Sequence, residues 1–138
     1  MTAFGERAVR NTRGKVRDSL RAAIEALERS GCEAAGYRLA GAGVEHFCVV
    51  HLWGRWRLLL GFREPTVAVI IDVGEHRDED PARDVYRRLY EALAVDPPTE
   101  PRDKPPCCDE SGPPVEGSAL DEIEGGYRAV TPRRRRRR

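Results

Sequence analysis

HLWGRWRLLLGFREPTVAVIIDVGEHRDEDPARDVY (residues 51–86) decides the architecture, because two strand-like runs, two tight turns and a helix start follow one another without a break. Residues 56–62 read as a strand. Residues 67–73, VAVIIDV, are apolar nearly throughout, as in a central strand covered on both faces. Just upstream, residues 45–53 place Phe47, Val49, Val50 and Leu52 in a third strand-like run. The turns at Gly54-Arg55 and at Glu64-Pro65-Thr66 are too short for a crossover helix, so the strands form an antiparallel meander. Gly74 ends the sheet, and EHRDED (75–80) is a polar loop. Asp80 is the expected N-cap of a closing helix and Pro81 its first residue, with Val85, Tyr86, Leu89 and Leu93 along one side.

Working outward, residues 15–30 carry Val16, Leu20, Ala23, Ile24 and Leu27 on one helical stripe, and Gly31 stands at its C-terminal stop. Residues 6–10 suit a short preceding helix, and the Gly/Ala-rich 31–43 a connection. The expected fold is α+β: an N-terminal helix or helical hairpin on a small antiparallel sheet of three to four strands, a closing helix and a disordered C-terminal tail. The domain is expected to span 1–96. Residues 97–138 are rich in Pro, Gly and charge, and too few apolar residues break them to offset the entropy of ordering.

Residues 1–96 hold 15 Lys or Arg against 15 Asp or Glu, so the expected domain is formally neutral. Nucleic-acid binders usually carry a basic footprint, and here one would have to come from local clustering. No apolar run has a membrane helix's length and no signal-peptide core opens the chain, which predicts a cytoplasmic protein without membrane contact. The four cysteines fit that reading: Cys32 and Cys48 fall in different elements, and the adjacent Cys107 and Cys108 do not readily bridge each other. No CxxC spacing points to a zinc site.

The 51–86 stretch gathers Arg55, Arg57, His76, Arg77 and Tyr86 near strand ends or the strand-to-helix junction. Guanidinium groups grip phosphate oxygens, and imidazole or phenol moves protons. Metal-free RNA cleavage needs those services. A base takes the 2′-OH proton, a cation steadies the phosphorane and an acid protonates the leaving 5′ oxygen. No cofactor is called for.

The order and character of these segments resemble the RelE/ParE superfamily of bacterial toxins, particularly its RNA-cleaving RelE-like branch. VRDSLRAAIEALERS (16–30) is similar to that family's long second helix, and GRWRLLLGF (54–62) to its glycine–aromatic–arginine strand. VAVIIDVGEHRDEDPARDVY (67–86) is similar to its last strand, basic turn and closing tyrosine. The resemblance implies a small toxin of a type II toxin–antitoxin system that cuts messenger RNA on the ribosome and is held inactive by a cognate antitoxin. By position, it implies that Arg57 contacts the scissile phosphate, that His76 and Arg77 are the basic pair after the last strand, and that Tyr86 is the tyrosine that follows. His51 falls where basic residues line the preceding strand.

The resulting expectation gives the phosphate to Arg57 and Arg77 and proton transfer to His76 and Tyr86, with His51, Arg55 and Trp56 as RNA contacts and Trp53 as a further stacking surface. Each has a plainer role. His76 is a solvated loop residue, Arg57 a solvent-facing strand residue, Arg77 a partner of Asp78 or Glu79, and Tyr86 and Trp56 are core. The carboxylates of Glu75, Asp78, Glu79, Asp80 and Asp84 repel RNA unless they face away. Residues 133–138, all arginine, offer polyanion contact through counterion release. Two rivals use the same scaffold: a ParE-like gyrase-binding toxin, and a catalytically degenerate interaction module acting through the arginine run.

Overall fold

The computed structural model describes residues 3–40, 43–97, 104–110, 112–115 and 117–130. The arginine run at 133–138 lies outside them. Helices α1 (Ala3–Arg10) and α2 (Gly14–Ser30) lead through a 3-10 turn at Gly31–Ala34 into strands β1 (Tyr37–Arg38), β2 (Phe47–His51), β3 (Trp56–Glu64) and β4 (Val67–Glu75). A second 3-10 turn, Pro81–Arg83, precedes α3 (Val85–Ala92), and α4 (Gly117–Val130) closes the described chain. The strands form one antiparallel sheet in the order β1-β2-β3-β4. The α+β architecture expected from the meander is thus present.

Both faces of the sheet are covered. Leu58, Leu60, Phe62, Ile70 and Val73 pack with Leu20 of α2. Leu59, Ile71, Val49 and Phe47 pack with Val85, Tyr86 and Leu89 of α3 and with Leu120, Ile123 and Tyr127 of α4. Alternation along β3 therefore divides its side chains between two cores, and the near-continuous apolar run of β4 serves both. Among the described residues no helix is long and apolar enough to cross a membrane.

Several expectations are corrected. β1 lies inside the stretch read as a connection. It has two residues and no strand pattern of its own, and its pairing of Tyr37 with Val49 and Arg38 with Cys48 defines it. The cap of α3 is Asp84 and not Asp80: Asp84 accepts the Arg87 N–H at 3.2 Å, whereas Asp80-Pro81 opens only the 3-10 turn and Asp80 makes no side-chain cap. The 3-10 turn does not continue into α3, because the chain re-extends at Asp84 before that helix begins.

The tail reading changes most. Leu120, Ile123 and Tyr127 are buried against the sheet and α3, so the packed domain runs well past residue 96. Of the two adjacent glycines in α4, Gly125 and Gly126, the second has a packing purpose: a Cβ on Gly126 would overlap the backbone carbonyl of Ala92, so glycine lets α4 meet α3. Two disulfides also tie this region down. Cys32 joins Cys108 and Cys48 joins Cys107, with Cα–Cα distances of 5.7 and 5.6 Å. The adjacent cysteines do not pair with each other; each reaches a different element.

The polar centre of the fold is Asp72, only 2 % exposed. One of its oxygens accepts from Arg88 Nε at 2.9 Å and from the Tyr127 hydroxyl at 3.4 Å, and the other accepts the Val73 N–H at 2.9 Å. Burial pushes its carboxyl pKa up, against the pull of Arg88. Removing one partner of such a pair strands the other's charge. Arg88→Met is therefore expected to cost about 3–5 kcal/mol, measured by urea unfolding. A loss below about 1 kcal/mol, the range of surface pairs, would mean that the pair is not closed in solution.

Candidate functional site

Strand register brings the candidate residues together. His51 of β2 is paired with Arg57 of β3, and Arg57 with Gly74 of β4, so these positions neighbour one another across three strands. Tyr37 pairs with Val49 and packs against the core beneath α3. Two residues beyond Gly74, His76 continues the same side of β4, and its backbone N–H donates to the Arg55 carbonyl at 2.8 Å. Tyr86, on the first turn of α3, packs down onto this face.

The side chains then form a connected chain. His51 Nε2 lies 3.1 Å from the Tyr37 hydroxyl, which lies 3.0 Å from the Tyr86 hydroxyl. The His76 and Tyr86 rings meet edge to face, with centroids 4.9 Å apart. Asp84 fixes the turn: one oxygen takes His76 Nδ1 at 3.0 Å and the Arg77 N–H at 2.9 Å, while the other caps α3. A cavity of about 380 Å³ opens beside His76 and is lined by Arg77, Asp78, Asp84, Tyr86, Arg87 and Tyr90, while His51 and Arg57 lie outside its lining.

Electrostatics follow from this crowding. Partial desolvation lowers the His51 pKa, and the positive charges of Arg57 and Lys104, with His76, lower it further. Burial raises the Tyr86 pKa strongly, the Tyr37 hydrogen bond adds to the rise, and nearby Arg57 opposes it. Near neutral pH His51 is therefore an unprotonated acceptor and Tyr86 a fixed hydroxyl. Arg57 Nη1 bonds the carbonyls of Trp56 and Gly54 at 2.9 and 3.2 Å, which orients its fork without neutralising it.

Not every expected residue converges. Arg77 borders the cavity, but its guanidinium is bound to Glu75 at 3.1 Å. Arg55 sits on the exposed turn, 3.7 Å from Glu79. Trp56 packs in the opposite core with Leu20, on the far side of the sheet from Arg57. Trp53 is the exposed tryptophan, at 53 %, with Lys15 Nζ 5.4 Å from its ring centroid.

The acidic loop is largely satisfied internally. Besides the pairs of Glu75 and Glu79, Asp80 faces Arg83 at 3.7 Å, and Asp78 lies 3.4 Å from His76 Nε2. Sequence reasoning missed three contributors: Tyr37, which lay in an apparent connection; Asp84, one carboxylate among many; and Lys104, assigned to the tail. Lys104 Nζ lies 5.2 Å from the Tyr37 ring centroid. Among the described residues no group of three or more His, Cys, Asp or Glu is placed to hold a metal ion.

No family model matches the chain, and no curated protein or solved structure matches it significantly.

The lowered pKa of His51 makes a direct prediction. As pH falls, the unfolded chain takes up this proton near the ordinary value of about 6.5, before the folded chain does. Stability is therefore lost on acidification through that range, and the loss stops once the folded imidazole is itself protonated. An NMR titration of His51 should give a midpoint below 6.5 that moves upward in Arg57→Ala. A midpoint at or above the ordinary value would contradict the arrangement.

Proposed function

We propose that this chain is an endoribonuclease that cleaves RNA without a metal, by attack of a 2′ hydroxyl on the adjoining phosphate, in the manner of RelE-like toxins. One observation carries the reading: His51, Arg57, His76 and Tyr86 share one face at one end of the sheet, linked through Tyr37. Two imidazoles beside a guanidinium make up a general acid, a general base and an anion clamp.

In this reading neutral His51 accepts the proton of the 2′ hydroxyl as its oxygen attacks phosphorus. Arg57 holds the phosphoryl oxygens as negative charge builds, and the Tyr86 hydroxyl, kept protonated by its burial, donates to the same charge. His76, held through Nδ1 by Asp84, protonates the 5′ oxygen as the phosphorus–oxygen bond breaks. The products are a 2′,3′-cyclic phosphate and a free 5′ hydroxyl. Messenger RNA on the ribosome as substrate, a cognate antitoxin and a cytoplasmic setting rest on the resemblance of segments 16–30, 54–62 and 67–86. An antitoxin segment would act by covering this end of the sheet.

Two assays test the proposal. Purified protein given a single-stranded RNA oligonucleotide should yield cyclic-phosphate ends, with rates lower by about 10²–10⁴-fold in His51→Ala and His76→Ala and also reduced in Arg57→Ala. Induction in a bacterial host should arrest growth and create new in-frame 5′ ends in messenger RNA that vanish in the same variants. Arrest with DNA damage and intact messages would favour gyrase binding, and no arrest with no cleavage would leave an interaction module.

A further inference from the structure

The Pro/Gly-rich segment after residue 103 reaches the site from outside the expected domain. Arg38 donates its backbone N–H to the Pro105 carbonyl at 2.7 Å, beside β1. Three residues after Lys104, Cys107 is buried and bridged to Cys48 of β2, and Cys108 is bridged to Cys32 beyond α2. The strap therefore crosses the edge strand whose Tyr37 hydroxyl contacts both His51 and Tyr86. It sets the exposed Lys104 ammonium 5.2 Å from the Tyr37 ring centroid.

We propose that Lys104 is a second phosphate-binding cation of the site, delivered by this strap, and that the two disulfides arm the protein by fixing the strap in place. The proposal rests on the RNA-cleavage reading for the role of the phosphate. Arg57 alone lies within the strand register, and the guanidinium expected to share its work, Arg77, is engaged by Glu75. Lys104 supplies a further charge beside Tyr37, with no carboxylate partner among the described residues. Its field also reaches His51.

Without covalent ties a short segment rich in proline and charge has little to hold it on the edge strand, because it buries little apolar area apart from Cys107. Reduction by a dithiol delivers two electrons and two protons to each bridge, giving four thiols, while each dithiol closes to a cyclic disulfide. The strap is then anchored only by its noncovalent contacts, and Lys104 loses its fixed position. Disulfides persist in oxidising compartments and are rare in the cytosol. A reducing cytosol therefore leaves the nuclease at the lower, strap-released level of activity rather than abolishing it.

The test measures binding and cleavage of single-stranded RNA across a salt series. It compares the oxidised parent with Lys104→Ala, Lys104→Arg and the dithiothreitol-reduced parent. Lys104→Ala keeps both bridges, so it does not depend on how the reduced chain folds. Loss of one phosphate contact should lower the slope of log affinity against log salt by about 0.7. Cleavage should fall by about tenfold or more, and arginine should restore most of both. Reduction of the parent should reproduce the alanine variant, and reduction of that variant should add no further change in slope.

An unchanged slope and rate in Lys104→Ala would overturn the proposal, as would a reduced parent that keeps the full slope. Parent-like cleavage in that variant would leave the nuclease reading intact. A slope change without any cleavage would retain the cation and remove the nuclease. Failure of the oxidised parent to bind RNA would overturn both.

Discussion

The ion pair between Asp72 and Arg88 is the constraint on which the candidate site depends. A carboxylate 2 % exposed in the central strands must be compensated, and its partners come from two different helices, Arg88 of α3 and Tyr127 of α4. Charge of that kind does not slide as an apolar contact can, so the rotation and height of α3 on the sheet are specified. Gly74 makes the fit possible, because a Cβ there would collide with the Arg88 guanidinium and crowd Val85. With α3 so placed, its first turn sets Tyr86 over the strand ends, and its cap, Asp84, sits where it can take His76. A buried structural pair thereby determines the geometry of the site's side chains within one helical turn of Arg88.

Asp84 is the second point of economy. Its two oxygens satisfy the first turn of α3, the Arg77 N–H and the His76 ring together. One side chain thus ends the polar loop, starts the helix and sets the imidazole's direction. This explains how a formally neutral domain with an acidic loop presents a locally basic spot. Most of the loop's carboxylates meet a cation or a backbone donor, whereas Arg57 bonds two backbone carbonyls and the Tyr86 hydroxyl, and Lys104 stacks on an aromatic ring. Net charge counted along the sequence averages over that division and conceals it.

What the sequence made legible was what periodicity and turn chemistry control. The α2 stripe, the meander and its two turns, and the apolar side of α3 are local patterns and fall where they were expected. Arg57, His76 and Tyr86 were legible as a group because β3, β4 and α3 are consecutive and closely spaced. The rest depended on contacts between distant segments. β1 has no pattern of its own and becomes a strand only by pairing with β2, so Tyr37 could not be read as part of the site. Trp56 and Arg57 are adjacent in sequence, yet the pleat sends them to opposite faces of the sheet, and only Trp56 joins a core. Helix α4 looked too polar and too glycine-rich to pack, because its gain comes from three residues at helical spacing and from a glycine that only α3 explains.

The cysteines show why composition misled most about the C-terminal region. Ordering a polar segment costs conformational entropy in proportion to its length, and its apolar residues alone do not repay it. That comparison assumes the unfolded chain is free. Bridges from Cys107 and Cys108 to Cys48 and Cys32 close long loops, with sequence separations of 59 and 76, and so restrict the unfolded ensemble. The remaining cost of seating α4 is then small enough for Leu120, Ile123 and Tyr127 to meet. Tyr127 in turn reaches Asp72, so the cross-links, the last helix and the buried ion pair form one continuous set of constraints. They begin at adjacent cysteines that no spacing rule would have paired.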